Sequence, residues 1–204
     1  MMEEIPESSM DTLRELINIG IGRAAGMLNE LTRARVILEV PVVELIRMEE
    51  LSSHAASLNG TPSSAVRIDY NGYITGSTAL VFNTAGAAAL VYAITGEEFE
   101  KPELDVMMEE TLKEVGNICI NGVMGSIGNI LHERITYTPP RYDKGTVSSF
   151  FKKTIIDGQM LVIIINTRFM VSEIDVDGYI MMLLGFSSFE KILSKIAELE
   201  GDAS

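Results

Sequence analysis

Tryptophan is absent, cysteine occurs once and histidine twice in these 204 residues. A single cysteine cannot close an internal disulfide, and a reducing compartment is the simplest reading. Cys119, His54 and His132 stand far apart and offer no zinc-type ligand spacing. Positive charge is scarce: 16 Lys and Arg face 29 Asp and Glu, a net charge of −13. Nucleic acid and anionic membrane surfaces both reward Lys and Arg, so neither is an expected partner. Long apolar runs are missing too. The best candidates, Met160–Asn166 and Tyr179–Phe186, are about eight residues each, far short of the roughly 20 that a spanning helix needs. The start, Met1-Met2-Glu3-Glu4-Ile5-Pro6-Glu7, is acidic where a signal peptide is basic. A cytoplasmic protein with no membrane insertion is the expectation.

What is present is globular in composition: 47% apolar and 22% charged residues, enough for one large domain or two small ones. Leu13, Leu16, Ile17, Ile21, Ala24, Ala25, Leu28 and Leu31 recur at helical spacing and predict a helix over Ser8–Leu31, with Ser8 or Ser9 as cap. Arg35–Ile46 is rich in β-branched residues and reads as a strand. Pro41 inside it predicts an edge strand or a bulge. A polar loop follows through Ser64. Ala65–Tyr70 and Tyr73–Phe82 flank Asn71-Gly72, a hairpin signal. Thr84–Ile94 reads as a helix ended by Gly96, and Glu97–Glu103 as a linker. Leu104–Leu131 predicts a second long helix and Arg134–Thr138 a strand. Arg141–Lys153 is basic, fits no element and reads as solvated loop. Gln159–Thr167 and Tyr179–Phe186 read as strands around a turn at Asp177-Gly178, and Ser187–Leu199 as a closing helix.

The order helix, strand, strand, strand, helix thus occurs twice, and the residues repeat with it. Thr12-Leu13-Arg14-Glu15-Leu16-Ile17-Asn18-Ile19 matches Thr111-Leu112-Lys113-Glu114-Val115-Gly116-Asn117-Ile118 at an offset of 99 (114 − 15). Each half reads acid-x-x-x-Glu-x-x-Asn, then 22 residues, then Pro. The members are Asp11, Glu15, Asn18 and Pro41 in the first half, and Glu110, Glu114, Asn117 and Pro140 in the second. Gly72-Tyr73-Ile74 and Gly178-Tyr179-Ile180 look like a further echo, at an offset of 106.

Glu and Asn three apart share one helix face, and the apolar stripe takes the other side. A carboxylate pairs with a partner's lysine, and a carboxamide both donates and accepts, so it can hold a water in a chosen direction. Neither is a strong nucleophile or base near neutral pH. Together they suit a reaction whose reactive group belongs to the partner. Phosphoryl transfer is such a reaction, since placing the water and stabilising charge supply most of the catalysis.

The doubled motif resembles that of the CheC/CheX/FliY chemotaxis phosphatases, and the duplicated layout most resembles the CheC branch, over nearly the whole chain. The resemblance implies that the chain hydrolyses the phospho-aspartate of a CheY-type response regulator. Asn18 and Asn117 would enter the regulator's acidic pocket and orient the attacking water, and Glu15 and Glu114 would pair with its lysine. Asp11, Pro41, Glu110 and Pro140 would support the motif. It implies no cofactor or metal in this chain, Mg2+ being supplied by the regulator. A CheD-like deamidase is a further implied partner. The expected fold is α+β: one domain of two αβββα units, about 8–96 and 104–200, sharing a mainly antiparallel sheet flanked by helices with pseudo-twofold symmetry.

Two departures stand out. The second motif opens on Glu110, where the family prefers Asp or Ser. It is followed by Cys119 and Asn121, where the first has Gly20 and Gly22, so unequal sites are an open reading. A non-catalytic adaptor for a regulator or a flagellar switch component is the alternative. The string Gly20-Ile21-Gly22-Arg23-Ala24-Ala25-Gly26 invites a dinucleotide reading. That needs a buried strand ahead and an acid about 20 residues on. Helical residues precede it, Glu39 follows 13 residues after Gly26, and the glycines are read as not recurring in the second half. No Gly-x-Ser-x-Gly elbow is present.

Overall fold

A computed structural model describes residues 5–32, 35–51, 62–96, 102–151, 160–171 and 173–202. The first helical stripe becomes α1 (Glu7–Thr32), which buries Leu13, Ile17, Gly20, Ile21, Ala24 and Leu28. Ser8 and Ser9 lie within its first turn rather than ahead of it. Leu31 falls on the same stripe yet is 51% exposed, because spacing sets the side of a helix and not what lies opposite. The strand β1 (Val36–Arg47) follows, then a short 3-10 turn, Met48–Glu50. Next come β2 (Ser63–Gly72), β3 (Gly76–Asn83) and α2 (Thr84–Thr95). The Asn83 side chain caps α2 by accepting from the Gly86 N–H at 2.6 Å, and Gly96 ends it at φ 72°. The second half holds α3 (Pro102–Leu131), β4 (Ile135–Tyr137), β5 (Arg141–Gly145), α4 (Val147–Phe151), β6 (Met160–Val171), β7 (Ile174–Gly185) and α5 (Phe186–Asp202).

The fold is α+β. Seven strands, among the described residues, form one antiparallel sheet in the order β1-β6-β7-β3-β2-β4, with β5 also on β2. The order reads the same from either end if β1 is exchanged with β4–β5, β2 with β6 and β3 with β7. The edge strand β1 does not pair with β2, its successor in the chain. It pairs with β6 from the second half, and β4 and β5 pair with β2 from the first. Both edges break at a proline. The β1 ladder slips between Glu39 and Val42, around Pro41. The other edge is interrupted between Tyr137 and Arg141, where Pro139 and Pro140 stand. Proline brings no N–H to a ladder, so an edge or a break is where a sheet tolerates it.

Glycine explains where the expected turns were misplaced. Asn71-Gly72 closes β2, and the turn itself is Tyr73–Thr75. Gly72 has φ 137°, and a Cβ there would collide with the Arg134 carbonyl. Asp177-Gly178 is no turn at all: both residues lie inside β7. A Cβ on Gly178 would meet the Phe82 ring at 2.5 Å, so the glycine makes room for the edge-to-face pair Phe82–Phe169. The echo at offset 106 therefore joins unlike places. Arg141–Lys153, expected as loop, supplies β5 and α4, with 152–159 outside the described residues.

One sheet face carries the main core, with Ile68, Leu80, Phe82, Ile163, Ile165, Ile180 and Met182 packed against Leu13, Ile17, Leu112, Val115, Cys119 and Ile192 of the helices. The other carries Ala79, Val81, Val162, Ile164, Met181 and Leu183 with Phe150 and Phe151 of α4. Buried Arg67 ties α4 to this face by donating to the Phe150 carbonyl at 2.7 Å. Burial on both faces accounts for the unbroken apolar runs of β6 and β7. No helix among the described residues is long and apolar enough to cross a membrane.

Candidate functional site

The helices α1 and α3 cross backbone to backbone. A Cβ on Gly20 would lie 2.5 Å from the Gly122 carbonyl oxygen, and one on Gly122 would lie 2.6 Å from that of Gly20. Gly20 also lies against Val123 and Ser126, whereas Gly122 lies against Ala24. Rising numbers on one helix thus meet falling numbers on the other, and the pair is antiparallel. Asn18 and Asn117 each precede the crossing on their own helix, so they fall on opposite sides of it. They are two separate places, not halves of one.

Away from the crossing, α1 exposes Asp11, Glu15, Asn18, Gly22 and Gly26. Steps of four, three, four and four residues keep these on one stripe. On α3 the same offset selects Glu110, Glu114, Asn117, Asn121 and Gly125; all are exposed except Asn117, which is half-buried. Gly125 stands 99 after Gly26, so one glycine of the string does recur, contrary to expectation. A Cβ at Gly22, Gly26 or Gly125 would meet nothing within 4 Å. These three are not packed glycines; they leave each stripe low beyond its Asn. The 99-residue offset was the signal that could have found Gly125. The whole glycine string lies inside α1, preceded by helical residues of α1 where a dinucleotide fingerprint needs a strand.

The leading acids are occupied within their own helices. Asp11 accepts from Arg14 at 2.6 Å. Glu110 lies 3.9 Å from the Lys113 ammonium, which also pairs closely with Glu109. The hydrogen bond to Glu109 holds the Lys113 pKa above its ordinary value. Glu15 and Glu114, by contrast, make no ion pair or hydrogen bond among the described residues. Their charges stand ready for a cation from outside.

The two Asn side chains differ. Asn18 has no hydrogen bond among the described residues. It lines a groove of about 390 Å³ with Arg14, Val40, Val42 and Val43, beside the slip that holds Pro41. Toward the other end of α1 the Asn29 carboxamide pins the helix to the start of β1: it accepts from the Val36 N–H at 2.6 Å and donates to the Val36 carbonyl at 3.0 Å. Asn117 is engaged instead: its Oδ1 accepts from Asn121 Nδ2 at 2.8 Å. Pro140 is half-buried in the break before β5. The valine floor was not anticipated from the sequence.

Other candidates fall away from this face. Cys119 is buried in the core, and burial pushes its thiol up to about 12, so it is a protonated packing group. His132 is exposed just past α3 at φ 52°, and His54 lies outside the described residues. Arg141 and Lys144 project from the edge strand β5; Lys152 and Lys153 lie outside the described residues.

No family model matches the chain. The CheY-P phosphatase CheC of Bacillus subtilis (strain 168) is 23% identical over 196 residues, covering 92% of this chain and 93% of CheC. The flagellar motor switch phosphatase FliY of the same organism is 21% identical over 201 residues. That match covers 98% of this chain and 52% of FliY, so the chain spans about half of that relative. The crystal structure of Thermotoga maritima FliY has the same fold, with a TM-score of 0.72 at 19% identity, covering 97% of this chain and 99% of that one.

Proposed function

We propose, for a chain that belongs to the CheC/CheX/FliY family, that it hydrolyses the phospho-aspartate of a CheY-type response regulator. The carrying observation is one exposed face presented twice. Each copy sets a Glu that pairs with none of the described residues one helical turn from an Asn, while its leading acid, Asp11 or Glu110, lies beside a cation of its own helix.

In this reading Glu15 and Glu114 are anchors. Each pairs with a lysine of the regulator and fixes how the helix meets it. Asn18 and Asn117 are catalytic residues. Each carboxamide reaches the phosphorylated pocket and orients a water in line with the phosphorus. The water oxygen bonds to phosphorus as the bond from phosphorus to the aspartate oxygen breaks. Inorganic phosphate leaves and the aspartate carboxylate is restored. Positioning is the whole contribution of this chain, so it needs no group with a shifted pKa. Mg2+ comes with the regulator in this proposal and steadies the charge on the phosphoryl oxygens. The open glycines past each Asn let the regulator's backbone approach closely. A CheD-like deamidase as second partner rests on the resemblance alone, and a cytoplasmic location on the single cysteine and the lack of long apolar runs.

A second reading is an adaptor that binds a regulator or a switch component without hydrolysis. It draws on Ile19, Met27 and Leu31, which leave apolar surface exposed on α1. Decay of a phosphorylated CheY-type regulator with Mg2+, with and without this chain, separates the two. Faster decay supports the phosphatase. Binding without any acceleration leaves the adaptor.

A further inference from the structure

We propose that Asn121 is a positioning residue that restrains Asn117, so that the two faces work unequally and the one on α1 is the freer. This rests on the reading of Asn18 and Asn117 as water-orienting groups. On α3 the Asn121 amide donates to Asn117 Oδ1 at 2.8 Å. The 99-residue offset puts Gly22 in that place on α1, where no such bond forms. Orienting a nucleophilic water calls on the carboxamide oxygen. It accepts a hydrogen bond from the water and so turns the water's lone pair toward phosphorus. The amide NH2 would turn the water the other way. The oxygen of Asn117 is the atom that Asn121 holds.

To serve, Asn117 either gives up this bond or offers its second lone pair at an angle the bond dictates. The effect is that of one exposed amide pair at i, i+4, about two- to fivefold in rate. Packing gives no reason for Asn121: it is exposed, and the other helix has glycine there. Asn18 faces its groove with no such tether.

The test reads each face alone. Asn18→Ala leaves only the α3 face, and Asn117→Ala leaves only the α1 face. Asn121→Ala is added to the first and Gly22→Asn to the second, and decay of the phosphorylated regulator gives kcat and KM for each. The expected result is a kcat for the α3 face about two- to fivefold higher after Asn121→Ala, with KM unchanged because Glu114 still anchors. Gly22→Asn should lower kcat of the α1 face by a similar factor. Alanine favours helix more than asparagine does, so folding is not at risk. An unchanged or lower kcat after Asn121→Ala overturns the restraint. No acceleration by the unaltered chain, or undiminished acceleration by the Asn18→Ala/Asn117→Ala variant, overturns the phosphatase reading instead. That result appears before Asn121 is touched, and the proposal falls with it.

Discussion

The helices α1 and α3 repeat their polar motif where they face outward and repeat only part of their packing where they face inward. Outside, Asp11, Arg14, Glu15, Asn18 and Gly26 have Glu110, Lys113, Glu114, Asn117 and Gly125 as their counterparts. Inside, Leu13 and Ile21 recur as Leu112 and Ile120, but Gly116 takes the place of Ile17, Cys119 that of Gly20 and Val123 that of Ala24; outside, Asn121 takes the place of Gly22. An interior asks only that volumes fit, and here they fit in different ways. Gly116 yields its space to Val66: a Cβ would fall 2.5 Å from Val66 Cγ1. Gly20 yields its space to the backbone of α3, whereas its counterpart Cys119 fills the core. Among the described residues nothing obliges the outer faces to agree, since Glu15, Glu114 and Asn18 bond to none of them. Agreement without an internal cause points to an external reader.

Substitutions can break this contrast, beginning at the crossing. Gly20→Val would drive a side chain into the Gly122 carbonyl and the Val123 backbone. It should cost about 3 kcal/mol or prevent folding, read by thermal denaturation. Cys119 sharpens the contrast through pH. Burial raises its thiol from 9.0 to about 12, so the folded state keeps a proton that the unfolded state releases. Stability is therefore intact below about pH 9 and falls by about 1.4 kcal/mol per unit as pH climbs from there toward 12. Cys119→Ala should flatten that part of the slope. Buried Tyr70, also raised by desolvation, adds its own loss at higher pH.

On the outer faces the effects move from folding to the partner. Glu15→Gln and Glu114→Gln should each raise KM of their own face about tenfold with little change in kcat, and the difference should shrink in high salt. Equal melting temperatures for these variants and the unaltered chain would complete the result. The smallest effect belongs to the open glycines. Gly26→Ala and Gly125→Ala should stabilise the helices by about 0.5–1 kcal/mol. If the regulator's backbone passes there, the same changes slow hydrolysis, and unaltered hydrolysis would remove that contact from the account.

Much of this was legible in the residues because helical periodicity and a repeat are both local signals. The long helices came out within a few residues of Glu7–Thr32 and Pro102–Leu131, and Pro41 announced an edge and a slip that both occur. The faces that bring Glu15 to Asn18 and Glu114 to Asn117 followed from spacing alone. The turns did not. Asp177-Gly178 carries a turn's residues, but Gly178 is glycine because the Phe82 ring presses on it from another strand. Only the sheet order reveals that. The strand β5 was invisible for a similar reason: Arg141, Asp143 and Lys144 are polar because the strand lies at the sheet edge, paired with β2 on one side alone. The valine floor beside Asn18 depends on contacts between elements that no spacing encodes, whereas the Asn117–Asn121 bond joins residues four apart on one helix and was open to a reading of spacing.

The central claim is that the repeated Asn orients water while the rest of the face binds. Hydrolysis and affinity measured side by side on one phosphorylated CheY-type regulator, for the unaltered chain and for Asn18→Ala/Asn117→Ala, test it most directly. The account predicts that the double variant loses the acceleration and keeps its affinity within about twofold, since the charged anchors remain. Acceleration that survives the double substitution would contradict it and place the chemistry elsewhere on the molecule.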